Sequence, residues 1–573
     1  MKNFIKNTLS RLFSIILIII FFIFFILILI PKQKEIIVKK NSILKINLDK
    51  SILDRTSSNP LPSIDDLNIS STDNIELKEI LDNIDKAKSD EKISGIYLHL
   101  SDLKSGMSSI EEIRNKLLDF KSTGKFIYSY SEVYSQLSYY LSSVSDSVFL
   151  NPKGMVEFNG FSAGVVFYKD LLEKIGLDIQ VIRHGKFKSA VEPYMYNGMS
   201  DENREQIEKM LNSMSKVINE GVSQQRNISV KRINEIINNL ELNSSKASKQ
   251  LNFIDELKYE DEVIAFLENK SKNIIDFSDY MDVIYEKSVS QDKIAIIYAT
   301  GPINSGKGSY NSIGSETTVK AIRQATKDEK VKAIVLRVNS PGGSALASDV
   351  ILRELNLAKQ KKKIIVSMGD YAASGGYYIS CNADKIFANN TTLTGSIGVF
   401  GIVPNTQKLL NEKIGVYIDT VNTHKYSDLG NGYRKLTKYE LDVIQNSVED
   451  VYETFITHVS KGRGISVDEV DKIGQGRVWS GVDALEIGLV DEIGGLEEAI
   501  ASAAELSDLD DYRIITLPNK KDEFEELIKK ITFEKNILLK KMMSFSDVVL
   551  RNFKFINSED KIQTILPYFI EIQ

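Results

Sequence analysis

The sequence "KAIVLRVNSPGGSALASDVILRELNLAKQKKKIIVSMGDYAASGGYYIS", at residues 332–380, alternates between strand-like and helix-like runs. Its runs "KAIVLRV" and "KKIIVSM" are short and rich in branched apolar residues, which is typical of buried strands. Between them, "ALASDVILRELNLAKQ", at residues 345–360, has apolar residues at helical spacing. A strand, a helix and a second strand in this order predict an α/β unit with parallel strands.

The turns of this stretch carry small residues at which chemistry could occur. In "NSPGGS", Gly342 and Gly343 follow the first strand, where glycines leave backbone N–H groups free and let a carbonyl group approach closely. In "MGDYAASGGYYIS", Ser374 follows the second strand and stands between alanines and glycines. A serine on such a turn is a candidate nucleophile, although small residues there could also serve only tight helix packing.

The chain repeats itself over most of its length. "ISGIYLHLSDLKSGMSSIEEI", at residues 93–113, aligns with "VKAIVLRVNSPGGSALASDVI", at residues 331–351, with an offset of 238 residues. "EKIGLDIQVIRHGKFK", at residues 173–188, aligns with "EKIGVYIDTVNTHKYS", at residues 412–427, with an offset of 239. One inserted residue accounts for the change of offset. A repeat of this size indicates a duplicated domain.

The two copies differ at the positions of the candidate catalytic residues. Ser374 of the second copy aligns with Gln136 of the first, and the glycine turn aligns with "LKSG". Conversely, Lys188 of the first copy aligns with Ser427 of the second. The second copy therefore keeps the serine and the glycine turn that the first lacks, and the first keeps the lysine that the second lacks. These complementary losses predict one site shared between the two copies.

A lysine can act as a general base only when its pKa is lowered. A free lysine titrates near about 10.4, and burial can lower this by roughly 3–5 units. A Ser–Lys pair is a known variant of the serine hydrolase arrangement. His424 remains an alternative base for Ser374, and Asp370 is expected to cap the helix that follows the serine.

Composition limits the other possible functions. A chain of 573 residues exceeds one ordinary core, so two or more domains are expected. The formal charge of −6 gives no sign of a nucleic-acid partner. The one cysteine excludes a disulfide framework within the chain and a Cys-based zinc site. No acidic or histidine cluster has metal-ligand spacing and no phosphate-binding glycine loop follows a strand, so neither a metal nor a cofactor is expected.

The N-terminal segment predicts a membrane anchor. The run "LFSIILIIIFFIFFILILI", at residues 12–30, has one polar residue, Ser14. As a helix it would span about 28 Å, roughly the hydrocarbon core of a bilayer. No small-residue cleavage site follows, so an uncleaved anchor is expected. Lysines and arginine flank both ends, and their count does not decide the orientation.

These patterns divide the chain into four parts. We expect a membrane anchor in residues 1–40, an α/β copy with the lysine in residues 41–285, and an α/β copy with the serine in residues 286–505. Residues 506–573 form a charged extension that is expected to be partly helical.

The motifs as a set resemble a known family. "LRVNSPGGS", "MGDYAASGGYYIS", "TLTGSIGVFG", "GKFKSAVEPY" and "GRVWSGVDALEIGLVDEIGG" look like those of bacterial signal peptide peptidase A in its long, tandem-domain form. The match runs from the anchor to about residue 505. The resemblance implies that each copy has the spiral α/β fold of the Clp protease subunit and the crotonases.

The resemblance also implies roles for individual residues. The family's nucleophile maps onto Ser374, and its general base maps onto Lys188. Its oxyanion donors map onto the backbone N–H groups of Gly375 and Gly343. Its accessory serine, which orients the lysine, maps onto Ser396, which the local pattern "TGSIG" alone would make only a turn residue.

The resemblance thus implies a membrane-anchored serine endopeptidase that degrades residual signal peptides. Family members of this form assemble as tetramers on the cytoplasmic membrane, with catalytic domains on the extracytoplasmic side. Two alternatives of other classes stay open at this point. A glycine-rich oxyanion turn also suits a crotonase-type enzyme that acts on an acyl-CoA, and the repeat could serve a non-catalytic membrane scaffold.

Overall fold

A computed structural model describes residues 36–56, 74–283, 288–519 and 562–565, together with residue 21. Helices and mainly parallel strands alternate along the chain, so the predicted α/β class is confirmed. The Clp-like spiral stays a prediction. Strands "KAIVLRV" and "KKIIVSM" form as predicted, and the second continues as far as Ala373.

The strands are numbered in chain order. They are β1 Ser42–Asn47, β2 Ser51–Leu53, β3 Asn74–Glu76, β4 Ile93–His99, β5 Phe126–Tyr134, β6 Ser147–Val156, β7 Asp178–His184, β8 Glu256–Leu257, β9 Ile274–Asp276, β10 Lys293–Thr300, β11 Ile303–Asn304, β12 Ile313–Gly314, β13 Val331–Ser340, β14 Gly342–Ser344, β15 Lys363–Ala373, β16 Lys385–Ala388, β17 Leu393–Gly395, β18 Val399–Asn405, β19 Val478–Ser480, β20 Glu492–Ile493, β21 Arg513–Leu517 and β22 Ile562–Ile565.

The α-helices are numbered in the same way. They are α1 Leu77–Ser89, α2 Met107–Lys121, α3 Gln136–Ser142, α4 Lys169–Ile175, α5 Glu192–Met195, α6 Asp201–Arg226, α7 Val230–Asn238, α8 Ser245–Gln250, α9 Glu260–Lys270, α10 Phe277–Met281, α11 Ser315–Lys327, α12 Ala345–Lys359, α13 Gly375–Ser380, α14 Lys438–Arg463, α15 Val467–Ile473, α16 Gly481–Glu486 and α17 Leu496–Glu505. A 3₁₀ turn at Ser189–Val191 and a π-helix at Leu409–Ile414 complete the helical elements of these residues.

The two copies build sheets with the same strand order. The first sheet runs β8-β6-β5-β4-β1-β9, and all its strands are parallel. In the second sheet, β20, β16, β15, β13, β10 and β21 follow one another in the corresponding order. The duplication read from the sequence is therefore present in the fold. Strand β21, within the predicted extension, lies in the second sheet beside β10.

The second sheet is buried on both faces, as expected for parallel strands covered by helices. Successive residues of β10 alternate between two apolar clusters. Ala295 and Ile297 face the cluster that includes α12, whereas Ile294 and Ile296 face the cluster that includes α17. The continuous apolar run of this strand follows from this two-sided burial.

A third sheet joins the two copies. Its order is β12-β11-β14-β22-β18-β7. Strand β7 belongs to the first copy, and it pairs antiparallel with β18 of the second copy over seven residues, from Asp178↔Asn405 to His184↔Val399. This pairing fixes the part of the first copy that follows β7 against the second copy.

A buried ionic network also holds the copies together. The Arg337 guanidinium, on β13, is fully buried and lies 2.7 Å from both Asp54 Oδ1 and Glu112 Oε1 of the first copy. It also donates to Ser367 Oγ at 2.8 Å, while Asn339 Nδ2 donates to Asp54. Two carboxylates of one copy thus enclose one arginine of the other.

The predicted membrane span at residues 12–30 lies outside the described residues, except for residue 21. The predicted helical segment of the extension also lies outside them. In the stretches that the structure does describe, no helix is both long enough and apolar enough to cross a bilayer.

Candidate active site

Ser374 lies at the junction between a strand and a helix. Strand β15 ends at Ala373, and α13 begins at Gly375. Ser374 itself has φ 56° and ψ −113°, which is a rare backbone conformation for a residue with a side chain and costs about 1–3 kcal/mol. Its N–H donates to Gly395 O at 2.8 Å, which ties the turn to β17. Such strain is found where the surrounding structure holds a functional side chain in place.

Lys188 of the first copy reaches this serine of the second copy. Lys188 Nζ lies 2.7 Å from Ser374 Oγ, 3.0 Å from Ser396 Oγ and 3.1 Å from Ser396 O. All three side chains are fully buried. The structure therefore brings together the three residues whose side chains the sequence assigned to the site.

Burial determines the protonation of the lysine. Desolvation by burial lowers the pKa of Lys188 well below its usual 10.5. A neutral amine has two N–H donors and one lone pair. Its donors fit Ser396 O and Ser396 Oγ, and its lone pair fits the hydroxyl proton of Ser374. The arrangement suits an unprotonated lysine that can accept a proton from the serine.

Several contacts from both copies hold the Lys188 loop. The β7–β18 pairing ends at His184, four residues before the lysine. Phe187 N donates to Gln475 O at 2.9 Å. From α6, Gln206 Nε2 donates to Phe187 O and to Ser189 Oγ, on both sides of Lys188. The sequence does not indicate that Gln206 and Gln475 support Lys188, because a glutamine at such a position has no distinguishing pattern.

Two glycines pack against the backbone and the aliphatic part of the Lys188 side chain. A Cβ on Gly476 would lie 2.5 Å from Lys188 N, and one on Gly398 would lie 3.2 Å from Lys188 Cδ. Gly476 also has φ 83°. Gly476 and Gly398 both lie within the quoted motifs, yet their spacing does not reveal that they face Lys188.

We expect Gly476→Ala to reduce the catalytic rate by about a hundredfold, because the methyl group displaces the lysine backbone and misplacement by about 1 Å has effects of this size. The matched control is Gly464→Ala, since Gly464 also has a positive φ of 67° but faces open space. Peptide cleavage and urea unfolding check both variants. Both variants should lose stability from the positive φ, Gly476→Ala more because its methyl group meets backbone, and only Gly476→Ala should lose activity. Equal activities would contradict the placement.

The proposed oxyanion glycines lie beside the serine and along the third sheet. Gly375 is the first residue of α13, so its N–H has no acceptor within the helix. Gly343 lies in β14, opposite Thr564 of β22 and beside Ile303 of β11. Strand β22 is antiparallel to both β14 and β18. A segment from the C-terminal part of the chain thus occupies the slot that begins at the glycine turn.

The alternative base and the expected helix cap are not supported. His424 is exposed, and its Nδ1 lies 3.1 Å from Thr423 Oγ1, whereas Ser374 Oγ is in contact with Lys188. The prediction that Asp370 caps the following helix is wrong. Asp370 lies within β15 and accepts hydrogen bonds from Ser109 of the first copy, at 3.2 Å from N and 2.9 Å from Oγ. The sequence could not reveal Ser109 as the hydrogen-bond donor to Asp370, because the two residues lie 261 positions apart.

The equivalent turn of the first copy has no such arrangement. Gln136 begins α3, and Ser135 before it has an ordinary extended conformation with φ −68°. The side chain of Gln136 accepts a hydrogen bond from Gly160 N at 2.8 Å. Lys188's counterpart, Ser427, is exposed and lies within hydrogen-bonding distance of Thr423 and His424. The second copy alone therefore has the strained serine turn.

The chain is similar to known peptidases over most of its length. The model of peptidase family S49 matches residues 119–274 and 356–510. Protease 4 of Haemophilus influenzae is 37% identical over 442 residues, covering 74% of this chain and 72% of that protein. The chloroplastic serine protease SPPA of Arabidopsis thaliana is 34% identical over 495 residues, covering 84% and 71%. A putative signal peptide peptidase SppA of Enterococcus faecium is 37% identical over 244 residues, covering 41% and 69%.

The two family matches fall in the two copies of the repeat, and together they cover more than half of the chain. The relatives match across both copies and over more than two thirds of their own length. This chain therefore belongs to peptidase family S49 and is a serine protease.

Proposed function

We propose that this protein is a membrane-anchored endopeptidase that degrades residual signal peptides with a Ser–Lys dyad built across its two copies. The observation that carries the proposal is the 2.7 Å contact between Lys188 Nζ and Ser374 Oγ, both fully buried. A buried lysine with a lowered pKa beside a serine on a strained turn fits the activated nucleophile of a hydrolase.

The proposed reaction proceeds in two stages. Ser374 Oγ attacks the peptide carbonyl carbon while its proton passes to Lys188 Nζ. The N–H groups of Gly375 and Gly343 stabilise the oxyanion, and Lys188 then gives its proton to the leaving amine. Water next attacks the acyl-enzyme, with Lys188 again as the base, and Ser374 is regenerated. Ser396 accepts hydrogen bonds from the amine and orients its lone pair.

The slot between β14 and β18 suggests how the substrate binds. Strand β22 fills it by backbone pairing on both sides, with Gly343 opposite Thr564 and Gly401 opposite Ile562. We propose that a substrate peptide replaces β22 as an extended strand. Backbone pairing tolerates varied side chains, which suits an enzyme acting on many signal peptides.

The membrane location and the assembly of the enzyme are part of the proposal. The apolar run at residues 12–30 would anchor it in the cytoplasmic membrane by one helix, with the catalytic copies on the extracytoplasmic side. The division at residues 40, 285 and 505 follows from the apolar run and the repeat, whereas a homotetrameric assembly and the signal-peptide substrate follow from the family resemblance. The name of the Enterococcus faecium relative agrees with this substrate.

A cleavage assay tests the proposed function. The full chain in mild detergent is incubated with a synthetic signal peptide, and mass spectrometry identifies the fragments. We expect cleavage by the wild type and by Ser427→Ala, the matched control at the position equivalent to Lys188, and none by Ser374→Ala. A chain ending at residue 560 should cleave at least as fast, because its slot is vacant. Failure of the wild type to cut any apolar peptide would overturn the proposal.

The rate should depend on pH through the lysine. Below the pKa of Lys188 the amine holds a proton and cannot accept that of Ser374, so kcat/KM should rise tenfold per pH unit and then level off. Because burial lowers this pKa, the plateau should begin well below pH 10.5. An uncharged fluorogenic peptide provides the measurement. A midpoint close to 10.5 would contradict the neutral-lysine mechanism.

A further inference from the structure

The first copy contains a counterpart of the edge on which β22 lies in the second copy. Ser105 aligns with Gly343 at the offset of 238 residues, and Gly343 belongs to the pairing of β14 with β22. On its other side, Gly343 lies beside Ile303 of β11. The first copy keeps this second contact, because Ile52 N of β2 donates to Lys104 O at 2.9 Å. The edge that receives β22 in one copy is therefore built in the other as well.

This edge has no strand partner in the first copy. Within residues 36–56, 74–283, 288–519 and 562–565, β2 and β3 form a sheet of two strands, and no strand pairs with residues 103–106. Lys104 is exposed, and Ser105 is half-buried. Because Lys104 O faces β2, the backbone groups of Ser105 are expected on the opposite side, as those of neighbouring residues in a strand are. An unpaired edge of this kind can accept an added strand.

A cavity of about 550 Å³ lies along this edge. Its lining includes Gln136 and Leu137, the counterparts of Ser374 and Gly375, so the cavity stands where the second copy has its catalytic groups. Its volume is within the roughly 300–1,000 Å³ of common ligand pockets. Its apolar lining residues include Leu53, Leu103, Met107, Leu137 and Met214. Since methionine side chains adapt to partners of varied shape, the cavity suits the apolar side chains of a peptide.

Two buried hydroxyl groups at the cavity have no hydrogen-bond partner among the described residues. They are Ser105 Oγ and Thr300 Oγ1, and both residues line the cavity. Buried polar groups are nearly always paired, and an unpaired one lowers stability. The backbone of a bound peptide has donors and acceptors that could pair with both hydroxyls.

The cavity lacks the chemical groups of the second copy. Gln136 stands at the position of the nucleophile, and its side chain accepts a hydrogen bond from Gly160 N at 2.8 Å. Lys104 lines the cavity but is exposed, unlike the fully buried Lys188. A peptide bound at this place would therefore be held without being cut.

We propose that the first copy binds an extended apolar peptide along residues 103–106 and in the adjoining cavity, without cleaving it. The peptide pairs antiparallel with this edge, as β22 does with β14, and its alternate side chains enter the cavity. The inference rests on the proposed function for the class of ligand, an apolar signal peptide, although binding requires no cleavage. Tyr371 and Leu393 of the second copy also line the cavity, so the peptide stays beside the strands that lead to Ser374.

Photo-crosslinking tests the site. The probe is a synthetic apolar peptide of leucine and alanine with a central benzophenone side chain, which reacts readily with methionine. The full chain with Ser374→Ala is irradiated with the probe in mild detergent, and mass spectrometry identifies the linked residues. We expect links to Met107 and Met214 that an excess of the same peptide without benzophenone removes. The absence of such competed links in the first copy would overturn the proposal.

A modified probe tests the strand pairing without altering the protein. Methylation of every backbone nitrogen keeps the side chains of the peptide but removes its N–H donors. We expect the links to Met107 and Met214 to fall about tenfold, because the carbonyl group of Ser105 would be left without a partner. Equal yields from the two probes would contradict pairing along this edge.

A change at Ser105 tests the same pairing from the protein side. Ser105→Pro removes the backbone N–H, whereas the matched control Ser105→Ala removes only the hydroxyl group. We expect the links to be lost in Ser105→Pro and kept in Ser105→Ala, with urea unfolding as the check that both variants are folded. Equal links in the two folded variants would contradict the proposal.

The crosslinking result and the cleavage result can fail separately. If the wild type cuts signal peptides but no competed links form in the first copy, this inference is wrong and the proposed function stands. If the links form and the wild type cuts no peptide, the proposed function is wrong and the first copy still binds peptides.

Discussion

Replacing Lys188 by methionine should abolish peptide cleavage and at the same time stabilise the protein. Loss of the base should reduce the rate by at least about a thousandfold, as for other members of a catalytic unit. Holding a lysine neutral at pH 7 costs about 1.4 kcal/mol for each pH unit between pH 7 and the usual lysine pKa of 10.5. Methionine has a similar length, needs no neutralisation and loses only the contacts with Ser374 and Ser396. We expect a gain of about 1–3 kcal/mol in the free energy of unfolding.

The gain should depend on pH in a defined direction. The pKa of Lys188 is lower in the folded state than in the unfolded state, so the wild type gains stability as pH rises between the two values. Methionine does not titrate, so its advantage should shrink as pH rises towards 10.5, where only the loss of the contacts with Ser374 and Ser396 remains and the wild type should be the more stable protein. Urea unfolding at several pH values measures it.

Lys186→Met is the matched control, because Lys186 is exposed and lies two residues away. It should change neither the activity nor the free energy of unfolding by much. If Lys188→Met were less stable than the wild type at pH 7, the lysine would be charged and paired in the folded protein. That result would remove the physical basis of the proposed dyad.

The second large effect concerns Arg337. Arg337→Met leaves Asp54 and Glu112 buried without their counter-charge, since these two carboxylates lie 2.7 Å from the guanidinium. Breaking a buried ionic group by removing one partner costs about 3–5 kcal/mol. We expect a loss of this size in the free energy of unfolding, measured by urea denaturation at pH 7.

A triple variant without charges distinguishes two explanations of such a loss, namely the unpaired buried carboxylates and altered packing. Arg337→Met together with Asp54→Asn and Glu112→Gln removes every charge of the group while keeping the side-chain volumes similar. It should recover most of the stability, because replacing a whole buried ionic group is often nearly neutral. If the triple variant were no more stable than Arg337→Met alone, packing rather than the unpaired carboxylates would explain the loss.

The pairing of Ser374 with Lys188 could be predicted because the duplication makes the chain its own comparison. Each copy shows what the other has replaced, and two losses that complement each other point to one shared site. Strands β13 and β15 could be predicted because their apolar runs record burial on both faces. These signals are local, or they repeat at a constant offset.

Contacts that are neither local in the sequence nor repeated at a constant offset could not be predicted. Gln206 and Gly476 support Lys188 from other elements, and no spacing links them to it. Asp370 was assigned to the nearest helix, whereas its hydrogen-bond donor lies in the first copy. Ser396 was identified by family resemblance alone, since glycine-containing turns are common. The anchor and the helical segment of the extension lie outside the described residues and stay predictions.

The β7–β18 pairing also determines when the proposed enzyme could first become active. A ribosome makes Lys188 early and Ser374 much later, and the strand that brings the lysine to the serine ends only at Asn405. A nascent chain that holds the first copy alone has a base without a nucleophile. Proteolytic competence would therefore arrive late in synthesis, after both copies have left the ribosome, and an incomplete translation product would be harmless to its surroundings.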